Sequence, residues 1–127
     1  MFSFIKSRWQ SIQYALQGIK HALRTEPNTW VHAGISVAVI IMGIWLTLTP
    51  LEWAILLLTM SLTWAAEFFN TALEAALDLL HPEPHPKVKI AKDISAAAVL
   101  ITAFFAVLIG LLILGPPLWE RVQGWFL

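Results

Sequence analysis

From Ile5 the large apolar residues fall at Ile5, Trp9, Ile12, Leu16, Ile19 and Leu23, in steps that alternate four and three. That period lays them along one stripe of an α-helix. Lys6, Arg8, Gln10, Gln13, Gln17, Lys20 and Arg24 occupy the other face. A basic amphipathic helix over residues 1–25 is expected to lie in a membrane interface, attracted to anionic lipid heads. Packing on soluble protein is the other use of such a stripe. Thr25-Glu26-Pro27-Asn28 then breaks the pattern, because proline disfavours helix in the residue before it.

Beyond this break the chain turns to long apolar runs. No charged residue occurs between Pro27 and Leu51, and residues 30–48 are long enough to span a hydrocarbon core of about 30 Å. Thr49-Pro50-Leu51-Glu52 predicts a very short turn. A second helix over 53–80 rises about 1.5 Å per residue and so outruns the core by several turns. His81 to Lys92, with three prolines, reads as a polar loop. The third span covers 94–115 and is expected to end at Gly115-Pro116-Pro117, with Trp119 and Trp125 as interface anchors. The fold class expected is all-α: one membrane domain over residues 1–127, with three transmembrane helices behind an N-terminal interfacial helix.

Composition supports a membrane protein. Of 127 residues 58% are hydrophobic and 13% charged, about half the roughly 25% charged of soluble domains. A formal net charge of zero argues against a nucleic-acid partner, which needs clustered Lys and Arg. The absence of cysteine excludes disulfides, thiolate chemistry and Cys-ligated metals. The amphipathic N-terminus has no compact apolar core followed by a cleavage site, so it does not read as a signal peptide. Lys6, Arg8, Lys20 and Arg24 precede the first span, Lys87, Lys89 and Lys92 sit in the second loop, and only Arg121 follows the third span. The positive-inside rule therefore puts the N-terminus and the 81–92 loop in the cytoplasm and the C-terminus across the membrane. Small residues at Gly34, Ser36 and Ala38, at Ala65 and Ala66, and at Ala96–Ala98 permit close helix contacts, which predicts a homo-oligomer.

The candidate chemistry lies in Trp64–Asp78, WAAEFFNTALEAALD. Spacings of three and four put Glu67, Asn70, Thr71, Glu74 and Asp78 on one side of the second span. An ionisable group at membrane depth reads by default as functional. Glu67, about 21 Å along the helix from Trp53, reaches the level of the lipid heads. A carboxylate kept from water there suits a base that takes a proton from a hydroxyl. Equally, it suits a carboxylate satisfied inside a helix bundle, or one that carries protons in a transporter. Glu74 and Glu26, at similar depth, could hold Mg²⁺, which takes one or two protein carboxylates while substrate phosphates complete its shell. Either could instead be a solvated interfacial charge. Asn70 could orient the base, bond a lipid hydroxyl or bridge two helices. Asp78 fits a solvated or Lys-paired residue better than a ligand, and His81 and His85 lack a third ligand for a metal. GxxxxGK[ST], a kinase glycine loop and GxSxG are all absent, so a nucleotide site here has to be of another sort.

These residues resemble the small prokaryotic diacylglycerol kinases, a family that includes undecaprenol kinases. Its segment E-x-x-N-[ST]-A-[IL]-E-x-x-x-D is matched by Glu67, Asn70, Thr71, Ala72, Leu73, Glu74 and Asp78. Glu83 and His85 fit its E-x-H, and Ala91, Lys92, Asp93 and Ala96–Ala98 fit A-K-D and the alanines after it. Upstream, Tyr14, Ala15, Gly18, Glu26, Asn28 and His32 are similar to the family's surface helix and the start of its first span. The likeness covers roughly residues 8–115. It implies a homotrimer with active sites shared between neighbours, phosphorylating a lipid alcohol from ATP with Mg²⁺. By the same resemblance Glu67 would be the catalytic base and Glu26 and Glu74 the metal ligands. Tyr14, Glu26, Glu74, Glu83, His85, Lys92 and Asp93 would contact nucleotide, and Glu67, Asn70 and Ala96 the lipid. Two positions depart from the pattern: Arg8 stands one place off the expected basic residue, and Trp30 replaces a common Arg. AKDISAAAVL is closer to the undecaprenol branch, which favours that acceptor over diacylglycerol. The rival from another class is a small non-enzymatic transporter or ion carrier using Glu67 as its membrane carboxylate.

Overall fold

The computed structural model describes the backbone from Phe2 to Phe126 and the side chains of residues 6–124. The predicted anchor Trp125 and the first apolar position, Ile5, lie outside the described side chains. Among the described residues the chain is all-α, with α1 Phe2–Thr25, α2 Pro27–Leu46, α3 Pro50–Leu80 and α4 Pro86–Phe126. The last three are each long and apolar enough to cross a membrane.

The expected spans 30–48, 53–80 and 94–115 need correcting at their ends, for one recurrent reason. Helices α2, α3 and α4 each open on a proline, Pro27, Pro50 and Pro86. The first turn of a helix leaves its N–H groups unpaired, so the donor proline lacks is not missed there and its fixed φ suits the helix. The prolines that read as breakers are therefore helix starts. As a result α1 and α2 are separated by Glu26 alone, and the 81–92 loop shrinks to 81–85. His85 joins loop to helix by accepting the Lys87 N–H on Nδ1 at 3.2 Å.

At the opposite end, Thr47 closes α2 in the left-handed conformation, φ 57° and ψ 49°. Thr49 then opens α3 through a capping box: its hydroxyl accepts from the Glu52 N–H while Glu52 Oε2 accepts from the Thr49 N–H at 2.7 Å. Gly43 lets Trp53 lie across this turn. A Cβ on Gly43 would meet the indole Cη2 at 2.8 Å, Cζ2 at 2.9 Å and Leu48 Cδ1 at 3.1 Å. Gly43→Val is thus expected to destabilise the turn by about 1–3 kcal/mol through overpacking. A lowered melting temperature in detergent checks this; an unchanged one would mean the indole yields freely.

The expected stop at Gly115-Pro116-Pro117 is also corrected, since α4 runs through both prolines. The segment beyond is held by tertiary contacts. Leu118 packs on the core of Leu46, Leu56 and Leu114, which joins α2, α3 and α4 near the Thr47–Thr49 turn. Arg121 donates to the Trp45 carbonyl at 2.8 Å, and its guanidinium sits 5.1 Å from the Trp45 ring centroid. Such packing offsets the backbone bonds that proline removes. The apolar core therefore gathers at one end of the bundle. The polar residues gather at the other.

Candidate active site

Glu67 is 2% exposed, in a bundle where few residues are enclosed at all. Its neighbour across the helix pair is His32 of α2, with Nε2 3.7 Å from Glu67 Oε2. Thr29, one turn before His32, is fully buried. Four shielded oxygens here have no hydrogen-bond partner among the described residues: Thr29 Oγ1, Glu67 Oε2, Asn70 Oδ1 and Thr71 Oγ1. An unpaired buried polar group costs roughly 1–3 kcal/mol, so these four oxygens call for partners that the described residues do not supply.

Towards the loop end the polar face of α3 opens into a cleft of about 670 Å³ between α1 and α3. Ala15, Gly18, Ile19 and Ala22 form one wall; Thr71, Glu74 and Asp78 lie opposite, with Glu26 at the end. Gly18 has nothing within 4 Å of a virtual Cβ, which keeps this wall low. Glu26 caps α2 by backbone geometry alone and makes no side-chain cap bond, so its carboxylate is not spent on the helix end. Glu74 Oε1 accepts from Asn70 Nδ2 at 3.0 Å. The structure thus brings Glu26 and Glu74, 48 residues apart in sequence, to one cleft.

A second cleft of about 630 Å³ is lined by Asp78, His81, Glu83, His85, Lys89 and Lys92 at the proline-rich loop. Asp78 lines both clefts and is ion-paired with Lys92. That pairing agrees with its reading as a Lys-paired residue and ties the end of α3 to the start of α4. Asp93 is engaged by Lys89 at 2.6 Å, one turn earlier on the same helix. Not every expected site residue reaches these clefts. Tyr14 is 68% exposed and immediately precedes Ala15, the first α1 residue lining the first cleft. Ala96 is exposed on α4 and lines neither. No group of three or more His, Asp or Glu side chains poised for a metal occurs among the described residues.

Sequence reasoning gave His32 and Thr29 no chemical role. The signal was present: Thr29, His32 and Ser36 follow the three-and-four spacing on α2 that singled out the acidic face of α3. Trp64, one turn before Glu67, was likewise passed over. Its indole N–H donates to Ser36 Oγ at 3.0 Å.

The family description "prokaryotic diacylglycerol kinase" matches residues 13–114, from α1 through most of α4. Undecaprenol kinase of Bacillus subtilis is 39% identical over 110 residues, covering 87% of this chain and 89% of the relative. Diacylglycerol kinase of Synechocystis is 40% identical over 121 residues, 89% of this chain and 69% of the relative. Diacylglycerol kinase of Helicobacter pylori is 31% identical over 100 residues, 79% of this chain and 78% of its own. With Glu67, Asn70 and Glu74 inside the matched region and three apolar helices around them, the chain belongs to the prokaryotic diacylglycerol kinase family.

Proposed function

We propose that this protein transfers the γ-phosphoryl group of ATP to a membrane lipid alcohol, with undecaprenol favoured over diacylglycerol. The observation that carries the reading is the enclosure of Glu67, with an unpartnered oxygen, one turn before Thr71 in the cleft that Glu26 and Glu74 share. In this reading Glu67 takes the proton of the lipid hydroxyl as that oxygen attacks the γ-phosphorus. The new P–O bond forms while the bond to the β-phosphate oxygen breaks, and ADP leaves. Asn70 would support the lipid head or the base, and Ala96 would contact the lipid.

The donor set fits Mg²⁺: two carboxylates face one cleft, and hard oxygen ligands with substrate phosphates are what that ion takes. Glu26 and Glu74 would hold it, and bound there it would neutralise charge on the phosphates. Glu83, His85 and Lys92 line the adjoining cleft, which suits the remainder of the nucleotide. Lys92 can exchange Asp78 for a phosphate oxygen as a point cation. Tyr14, beside the first cleft, and Asp93, beside the second, would join from their margins. Because the proposed groups are spread over α1, the α1–α2 junction, α3, the loop and the start of α4, a homotrimer whose neighbours close the exposed side of the clefts is the assembly that fits. The N-terminus and the loop would lie on the cytoplasmic side, with α1 in that interface and the C-terminus opposite, a reading that the Lys and Arg placement supports.

An ion carrier needs a polar route past Glu67 to the far side. Thr59 and Thr63, the buried polar residues on that side of α3, turn their hydroxyls to their own helix carbonyls at 2.8 Å, to Ile55 and Met60. This supports the kinase over the carrier. The test is purified protein in nanodiscs with labelled ATP, Mg²⁺ and both lipid alcohols in parallel. Label is expected on lipid, and more of it on undecaprenol. Label on neither alcohol overturns the reading, and a preference for diacylglycerol overturns the acceptor.

A further inference from the structure

The mounting of His32 against Glu67 has no counterpart elsewhere in the proposed reaction. The two side chains, 15% and 3% exposed, meet at 3.7 Å between Nε2 and Oε2. That oxygen is shielded and accepts no hydrogen bond. A contact slightly too long for a hydrogen bond is common in catalytic groups before substrate arrives, and it tightens when the site fills. The imidazole is also pinned. Its ring lies 6.2 Å from that of Trp64, tilted by 50°. Trp64 is in turn fixed by its bond to Ser36, one turn beyond His32, and by Phe68 at 5.5 Å. Ser36 and His32 share a face of α2, as Trp64 and Glu67 share one of α3. The Ser36–Trp64 bond therefore sets the distance between the helices beside the His32–Glu67 pair.

We infer that His32 is a positioning residue: its Nε2–H closes on Glu67 Oε2 and aims Oε1 at the acceptor hydroxyl. This rests on Glu67 being the base. The orientation matters because a base that must reach a proton at hydrogen-bond distance loses about 10²-fold in rate for a misplacement near 1 Å. An apolar side chain at position 32 would leave the carboxylate free to swing. Glutamine, whose amide nitrogen reaches about as far as imidazole Nε2, would still donate to Oε2.

The experiment compares His32→Leu and His32→Gln in nanodiscs with ATP, Mg²⁺ and the lipid alcohol the wild type accepts. His32→Leu is expected to lower kcat by about 10²-fold with KM for ATP within about twofold, and His32→Gln to recover about tenfold of that loss. A kcat for His32→Leu within about threefold of wild type overturns the proposal, and so does an equal loss in both variants with a lowered melting temperature. A second readout needs no turnover. The ¹⁵N signal of His32 Nε2 in labelled protein is expected to move in Glu67→Gln and to stay in Asp78→Asn. A signal indifferent to Glu67→Gln also overturns the pairing. If the wild type phosphorylates no lipid at all, the kinase reading fails, whereas the nitrogen signal still decides whether His32 and Glu67 are paired.

Discussion

Glu67→Gln is expected to reduce kcat by about 10³-fold while ATP remains bound, a loss of about 4 kcal/mol in transition-state stabilisation. Glutamine keeps the size of the side chain and so preserves the packing of a residue that is 2% exposed. What it loses is the ability to accept a proton and remain stable. The amide can still receive the His32 contact through its oxygen, so the fold is expected to hold and the melting temperature to change little. Equilibrium binding of a fluorescent ATP analogue, measured beside single-turnover transfer, separates the two effects. Turnover within about tenfold of wild type would remove Glu67 as the base, since a positioned general base contributes at least 10².

Glu74→Gln is expected to act on nucleotide instead. It keeps an oxygen for Asn70 Nδ2 but removes the negative charge facing the cleft shared with Glu26. The proposed Mg²⁺ then has one anionic ligand fewer, and kcat/KM for Mg–ATP is expected to fall on the order of 10²-fold. Raising Mg²⁺ should recover part of it, because metal affinity is what the substitution weakens. Glu26→Gln should behave alike, and the double variant should lose less than the sum of the two, as residues that act through one ion do. A magnesium titration of each variant against wild type checks this. A Glu74→Gln enzyme with an unaltered magnesium requirement would move the metal away from this cleft.

Local chemistry made much of this legible without coordinates. The four-and-three stripe of α1, the charge-free stretch of α2 and the length of α3 follow from side-chain periodicity, which depends only on neighbours in sequence. The acidic face of α3 is legible for the same reason, since Glu67, Asn70, Glu74 and Asp78 share a helix. The helix starts were misjudged at Pro27, Pro50 and Pro86, although that information was local too: proline breaks a helix from within and begins one from its first turn. At Pro116 and Pro117 no local rule sufficed. There Leu118 on the apolar core and Arg121 on Trp45 carry α4 onward, and both contacts join residues far apart in the chain.

Sequence alone therefore determined that this protein is a set of apolar helices bearing one acidic face, because hydrophobic period and charge placement are properties of single helices. Only the tertiary structure decided what that face meets: His32 against Glu67, Glu26 across a cleft from Glu74, and Lys92 on Asp78. These pairings depend on how two helices are rotated and spaced. That is fixed by contacts such as Trp64 on Ser36 and Trp53 over Gly43, whose partners lie at distances no repeat of three or four residues encodes.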